Sequence, residues 1–357
     1  MTAGVSPPSD PARPDPQPRR AASRADELAG SVQVDVGPVR VAVYLGPEDI
    51  AAALRRDVGV GLTASPKELP PKWLYDERGC ALFEQITHLP EYYPTRRERA
   101  ILTASASVIA AASGADTLVE LGSGTSDKTG VLLDALSAAG TLRRFAPFDV
   151  AEPTLREAAA RIVASYPGIE IDAVVGDFES HLDRLPTGGR RLIAFLGGTI
   201  GNLDPTARSA LLTTLAVGME PGDTLLLGTD LIKDRARLVA AYDDAAGVTA
   251  AFNRNVLSVL NRELGARFDP QGFDHVARFD EDHHWIEMRL RARMTQLVPI
   301  DGLGLEVGFA AGEDVRTEIS TKFTRALVRS EVEAAGLEPV GWWTDPAGDF
   351  ALSLARR

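Results

Sequence analysis

From Thr117 onward, short apolar runs alternate with amphipathic stretches. TLVEL (117–121) is an apolar run ending at a glycine, and DKTGVLLDALSAAG (127–140) has helical periodicity closed by Gly140. RRFAPFDV (143–150) predicts the next strand, and a helix is predicted from Glu152 to about Ser165. IEIDAVVGDF, RLIAFLGG and TLLLGTDL predict further strands at about 169–175, 191–196 and 224–231. Strands separated by helices build parallel βαβ units, so the pattern predicts a doubly wound α/β sheet of the Rossmann-like kind. Ligands of such sheets lie outside the carboxyl ends of the strands.

The pattern changes toward the C-terminus. HWIEMRLRARMTQLV (284–298) and LGLEVGFA (303–310) are strand-like on either side of Ile300-Asp301-Gly302, which predicts an antiparallel pair. TRALVRSEVEAAGL (324–337) predicts a helix, followed by GWWTD and FALSLAR across a Pro-Ala-Gly turn. A parallel sheet closed by a C-terminal antiparallel hairpin is therefore expected. The helical 233–265 region and the strands after it interrupt the α/β order and read as an insertion. Residues 1–43 are rich in Pro, Ala, Arg and Asp and predict a disordered tail. No apolar stretch follows Arg19-Arg20, so neither a signal peptide nor a twin-arginine signal is expected. No apolar run reaches the roughly 18 residues of a membrane span, and no internal repeat is found.

Composition narrows the function classes. The chain has 357 residues, enough for one large or two smaller cores, with 45% hydrophobic and 25% charged residues. A formal net charge of −12 disfavours a polyphosphate partner, so no nucleic acid is expected. The single cysteine, Cys80, excludes an intramolecular disulfide and suits a reducing cytoplasm.

GSGTSDKT (122–129) comes within one residue of a phosphate-binding loop. Asp127 stands where G-x-x-x-x-G-K-[ST] needs its second glycine, and a dinucleotide fingerprint fails at the same position. An aspartate there adds negative charge beside any phosphate, whereas it suits the first turn of a helix. What remains is a tight glycine turn preceded by Glu120. Taken alone this is an ordinary strand-to-helix turn. However, Asp149 ends the second strand, where a carboxylate can accept both hydroxyls of a ribose. Gly176-Asp177-Phe178 ends the third, pairing a carboxylate with an aromatic face, as adenine requires. Lys128 can meet a carboxylate. The sum describes an adenosine with a carboxylate-bearing tail, S-adenosylmethionine, used as a methyl-donor cosubstrate.

Longer stretches carry a resemblance. LRRDVGVGLTASPKELPPKWLYD, FEQITHLPEYYPTR, DTLVELGSGTSDKT, FLGGTIGNL, LLLGTDLIKD, YDDAAGVTAAFNRNVL and WWTDPAGDF are similar to the histidine Nα-methyltransferases of ergothioneine biosynthesis, from about residue 44 to the end. The resemblance implies three methyl transfers to the α-amine of L-histidine, giving the betaine hercynine. It implies cofactor contacts at Gly122, Lys128, Asp149, Asp177 and Phe178, and histidine contacts at Tyr92, Asn202, Tyr242, Glu318 and Ser320. It places Tyr75, Phe83, Gly197, Thr199 and Met288 around the pocket. Asn202 and Tyr92 are expected to orient the amine and carboxylate, with Tyr242 on the carboxylate.

These residues also make physical sense alone. Asn202 follows Gly201 just past the fourth strand, and its amide both accepts and donates, although it reads equally as a turn asparagine before Asp204-Pro205. Tyr92 in EYYPTR and Tyr242 in a predicted helix can donate hydroxyls, and an isolated tyrosine otherwise reads as core. Glu318 and Ser320 lie two apart in TEISTKF, so on a strand they share a face that can bind both nitrogens of an imidazole. Met288 falls on the apolar side of IEMRL and reads as core and pocket wall; Gly197, lacking a side chain, is a source of room for added methyls. Glu281-Asp282-His283-His284 alternates faces if on a strand and reads as solvated charge near a turn; no metal is expected. Trp342-Trp343 reads as packing at the sheet edge.

The predicted organisation is a methyltransferase core of about 96–232 plus 322–357, and a substrate-recognition domain of about 44–95 plus 233–321. A monomer acting on histidine and S-adenosylmethionine, without membrane or nucleic acid, is expected. Two other classes fit the same residues: a methyltransferase of another small amine or amino acid, and a non-enzymatic sensor of S-adenosylmethionine or an adenine nucleotide.

Overall fold

The computed structural model describes residues 1–2, 32–36, 38–124 and 128–357, so Asp127 and residues 3–31 lie outside the described part. A hairpin of β1 (Val32–Val36) and β2 (Val39–Val43) is followed by α1 (Pro47–Thr63), the two-residue β3 (Lys67–Glu68), α2 (Glu77–His88) and α3 (Pro94–Ser113). Then come β4 (Thr117–Leu121), α4 (Thr129–Ala138), β5 (Arg144–Asp149), α5 (Glu152–Ser165), β6 (Glu170–Val175), β7 (Arg191–Phe195), α6 (Pro205–Gly218) and β8 (Thr224–Asp230). The interrupting region holds α7 (Arg235–Ala240), α8 (Val248–Leu264), β9 (Phe273–Asp280), β10 (Trp285–Ala292), β11 (Gln296–Ile300), β12 (Leu305–Phe309) and β13 (Asp314–Thr321). Last are α9 (Arg325–Ala334), β14 (Glu338–Thr344) and β15 (Phe350–Arg356).

The main sheet has nine strands in the order β1-β2-β6-β5-β4-β7-β8-β15-β14. Strands β2, β6, β5, β4, β7 and β8 run parallel, and the β14–β15 hairpin adds antiparallel to β8, as the C-terminal pattern predicts. β4, β7 and β8 are buried along their whole length, which explains their unbroken apolar runs. One apolar cluster, including Leu118, Leu192 and Phe350, packs α3 and α4 onto one face. A second, including Val119, Phe195 and Leu212, covers the other face with α6 and α9. Among the described residues no helix is long and apolar enough to cross a membrane.

Two expectations are corrected here. The disordered tail expected over 1–43 does not extend to its last residues, because β1 and β2 pair with each other and β2 adds parallel to β6. The alternating Val39-Arg40-Val41-Ala42-Val43 is a strand next to the sheet's edge, between β1 and β6, and the Pro- and Ala-rich stretch before it hides it in the sequence. Tyr242 lies in the turn after α7, outside any helix. Asp244 accepts from the amides of Val248 (3.0 Å) and Thr249 (2.7 Å), and Gly247 adopts φ 73°, so α8 starts afresh after the break.

A separate apolar cluster draws on two distant stretches, Leu54 to Tyr93 and Leu238 to Val315. Around it lies a four-stranded sheet, β3-β13-β10-β9, and the β11–β12 hairpin expected around Ile300-Asp301-Gly302. The first sheet turns β13 toward the carboxyl ends of β7 and β8: Leu231 bridges Phe323, and Phe323 donates to Asp230 (2.7 Å).

Candidate functional site

The chain leaves β4 for β5 and β6 on one side, then returns to place β7 and β8 on the other. The switch opens a crevice between the carboxyl ends of β4 and β7. Gly122 (φ 69°) and Gly124 (φ 48°) turn the chain after β4 in a left-handed conformation that favours glycine. A Cβ at either would meet nothing within 4 Å, so the loop is open above its backbone. Asp149 grips that loop: one carboxylate oxygen accepts from Gly124 (2.8 Å), the other from Ala151 (3.0 Å). Each oxygen keeps a lone pair for a hydroxyl ligand. At the end of β6, Asp177 accepts from Glu179 (2.8 Å), and the Phe178 ring meets Phe195 edge-on at 5.7 Å.

The crevice is acidic at its floor. Glu98, fully buried on α3, pairs with Lys128 and accepts from the Gly197 amide at 2.7 Å. Glu120, buried in β4, accepts from the Thr129 hydroxyl, and burial pushes its carboxyl up to about 8. Burial also raises Asp149, although backbone amides pull it the other way. Acidic groups outnumber the one lysine here: Glu98 pairs with Lys128, and Glu120 lies within electrostatic reach of Lys128, Glu98 and Asp149. That balance opposes a phosphate and suits a cation with an adenosine at one end. The buried Ser123 hydroxyl has no partner among the described residues and adds a free donor under the loop. The open glycine turn and the acidic floor beneath it therefore fit a sulfonium nucleoside.

The second set of residues gathers in the other core. Tyr92, Tyr242, Met288, Glu318 and Ser320 are all buried. Glu318 and Ser320 share one face of β13, and Met288 on β10 is the register partner of Glu318. Tyr92 and Tyr242 meet edge-on at 6.4 Å, Phe83 lies 6.0 Å from Tyr92, and Tyr75 lies 5.4 Å from Phe83. Tyr75 is 41% exposed, so it forms the rim. Burial holds the Tyr92 and Tyr242 phenols far above their usual range, which keeps both as neutral hydroxyls. Burial lifts the Glu318 carboxyl to about 7, opposed by the Lys322 charge and a hydrogen bond from Asn202.

Asn202 joins the two sets. It ends the single 3-10 turn Thr199–Asn202 that follows β7, beside the crevice, and its amide reaches Glu318. Gly197 and Gly198 (φ 78° and 72°) make this turn possible. A Cβ on Gly197 would lie 3.3 Å from the Thr199 hydroxyl and 3.6 Å from Lys128 Nζ. Gly197 is thus required for its backbone first and for room second, which narrows the expectation that it simply accommodates methyl groups.

Several polar residues at this junction escape sequence reasoning. Glu98, Asp230 and Lys322 are buried charges, but in the sequence they sit within amphipathic or polar stretches. Tyr93, next to Tyr92, donates to Asp230 (2.8 Å), which also pairs with Lys233 and Lys322. The spacing of Asp230-Leu231-Ile232-Lys233 at a strand end is the one signal that could have found them. Glu281 to His284 form the exposed turn between β9 and β10, where His283 pairs with Asp280 and stacks on Trp285. Among the described residues no group of three or more His, Cys, Asp or Glu is placed to hold a metal. Trp342 and Trp343 lie half-buried on the edge strand β14.

Comparison with known proteins gives the family. A model described as histidine-specific methyltransferase, SAM-dependent, matches residues 54–357. The chain belongs to this family. It is 62% identical over 317 residues to the histidine N-alpha-methyltransferase of Mycolicibacterium smegmatis, covering 89% of this chain and 99% of that protein. It is 59% identical over 319 residues to that of Mycobacterium tuberculosis, with the same two coverages. Ergothioneine biosynthesis protein 1 of Neurospora crassa is 30% identical over 317 residues, 87% of this chain but 35% of that longer protein. The family is one of S-adenosylmethionine-dependent enzymes, and the matched residues span the apolar clusters of both sheets.

Proposed function

We propose that the protein transfers three methyl groups from S-adenosylmethionine to the α-amine of L-histidine, giving hercynine for ergothioneine biosynthesis. One observation carries the reading: a buried carboxyl and hydroxyl, Glu318 and Ser320, share a strand face and are tied through Asn202 to the strand-end crevice. The names and high identity of the mycobacterial relatives support the substrate. The Neurospora relative supports the pathway.

In this reading Gly122, Asp149, Asp177 and Phe178 hold the adenosine and Lys128 the carboxylate of its tail. When bound, S-adenosylmethionine supplies an electrophilic methyl on a cationic sulfur. The protein's own task is alignment, worth roughly 7–11 kcal/mol in well-oriented reactions. Tyr92 and Asn202 orient the substrate amine and carboxylate, and Glu318 accepts the ring N–H. Tyr75, Phe83 and Met288 wall the ring, and Gly197 and Thr199 border the amine. The amine must shed its proton to attack. A peptide α-amino group titrates at about 8, and a neighbouring sulfonium favours the neutral amine. The division into a recognition unit (about 44–95 plus 233–321) and a methyltransferase core follows the separate apolar clusters and belongs to the same proposal.

The test is incubation of the purified protein with S-adenosylmethionine and each of the twenty amino acids, with mass detection. Histidine alone should gain methyls, up to three. A preference for another amino acid would move the substrate assignment, and no methylated product at all would leave a sensor of S-adenosylmethionine.

A further inference from the structure

Lys322 lies fully buried, two residues beyond Ser320. An ammonium carries three N–H donors and no acceptor. All three find partners: Asp230 Oδ2 at 2.9 Å, the Tyr242 hydroxyl at 2.9 Å and the Ser320 hydroxyl at 2.8 Å. Toward Lys322, therefore, both hydroxyls accept. The two hydroxyl oxygens are also 2.7 Å apart, with Tyr242 donating to Ser320. Ser320 Oγ then accepts from Lys322 and from Tyr242, which fills both of its lone pairs. Its single proton is left to donate out of the triangle.

The geometry points to Lys322 as a positioning residue that fixes Ser320 as a hydrogen-bond donor, so that β13 presents one donor at Ser320 and one acceptor at Glu318. A ring that satisfies both carries one bare nitrogen and one N–H, which is neutral imidazole in a single tautomer. An imidazolium offers two donors and leaves the Ser320 proton facing a proton. A ring with no nitrogen leaves both groups unpaired, at the cost of buried polar groups without partners. Asp230 supports the arrangement from behind. Its carboxylate anchors Lys322 and also accepts from Tyr93 at 2.8 Å, which links the donor's orientation to the helix that follows Tyr92.

The inference rests on histidine occupying this pocket, and the experiment separates the two. Affinities for L-histidine and L-phenylalanine are measured by calorimetry with S-adenosylhomocysteine present, in wild type, Lys322→Met, Ser320→Ala and Glu318→Gln. Lys322→Met should weaken histidine about ten-fold while phenylalanine stays unchanged, so that the ratio falls to that of Ser320→Ala. A general structural disturbance would instead weaken both ligands together. A wild-type ratio in folded Lys322→Met overturns the proposal. Unchanged histidine affinity in Ser320→Ala and Glu318→Gln overturns the pocket assignment itself. Lys322→Met strands Asp230, so the charge-balanced Lys322→Met/Asp230→Asn variant is the second reagent, with the same expected ratio. Nitrogen NMR of ring-labelled histidine bound to the wild-type protein needs no variant. One protonated and one bare, hydrogen-bonded nitrogen are expected; two protonated nitrogens overturn the proposal.

Discussion

The two edges of the parallel sheet use charge in opposite ways. At the amino edge, Arg191 and Asp223 are both 1% exposed and satisfy each other. Arg191 donates from Nε to Asp223 (2.8 Å), from Nη2 to the Gly218 carbonyl (2.7 Å) and from Nη1 to the Pro186 carbonyl (3.1 Å), while Asp223 also accepts the Arg191 and Glu220 amides (2.8 Å each). At the carboxyl edge, Glu98 pairs with Lys128 while Glu120 lies near both and near Asp149, and burial raises Glu120 and Asp149. Charges that match one another hold the fold. Acidic groups in excess of basic ones at a strand-end crevice are placed for a cation that arrives from solution.

The difference can be broken from either side. The largest effect is expected at the amino edge, where Arg191→Met strands a buried carboxylate and should cost about 3–5 kcal/mol of stability in denaturant titrations. S-adenosylmethionine affinity of the folded protein should not change; a parallel loss of affinity would erase the distinction between the edges. At the carboxyl edge the order reverses. Asp149→Ala should weaken S-adenosylmethionine by about 1.5–3 kcal/mol in calorimetry while the melting temperature holds or rises, because a buried charge has been removed. Tighter binding of ATP than of S-adenosylmethionine to the wild type would contradict the cation reading outright.

Glu318→Ala carries the contrast into the histidine pocket. Its kcat/KM for histidine should drop by about 1–3 kcal/mol relative to another amino acid, with cofactor affinity preserved. An unchanged ratio would put the ring elsewhere. The smallest effect is in pH dependence. Glu120 titrates at about 8 in the fold against 4.5 ordinarily, so between those values the folded chain keeps a proton that the unfolded chain has lost. Stability from this group is therefore complete below about pH 4.5 and falls as pH rises toward about 8. Glu120→Gln should flatten that decline by on the order of 1 kcal/mol, read from melting curves across the window. A decline unchanged by the substitution would show that Glu120 is ionised in the fold.

The regular part of the fold is legible because its strands are buried on both faces. TLVEL and RLIAF are unbroken apolar runs, and β4 and β7 match them closely. The ends of those strands are legible too, since Gly122, Asp149 and Gly176-Asp177-Phe178 punctuate the runs. Legibility fails where one residue serves a distant partner. Val39–Val43 joins the sheet through β6, about 130 residues away, as the Arg40–Glu170 separation shows. Glu98 looks like a solvated residue of PTRRERAIL until β7 brings the Gly197 amide to it. Lys322 reads as a strand-end surface charge until Asp230, Tyr242 and Ser320 close around it. Helical periodicity alone also hides the break at Tyr242, which depends on Asp244 capping the next helix. The pairing of Glu318 with Ser320 was readable because a strand's two-residue period is a local rule.

The central claim is that the pocket holds the ring so that the α-amine, and no ring nitrogen, faces the methyl donor. Carbon NMR of the histidine product made with methyl-labelled S-adenosylmethionine tests it most directly. Labelled methyls are expected on the α-nitrogen only, converging at completion on a single trimethylammonium resonance. A labelled methyl on either imidazole nitrogen would contradict it.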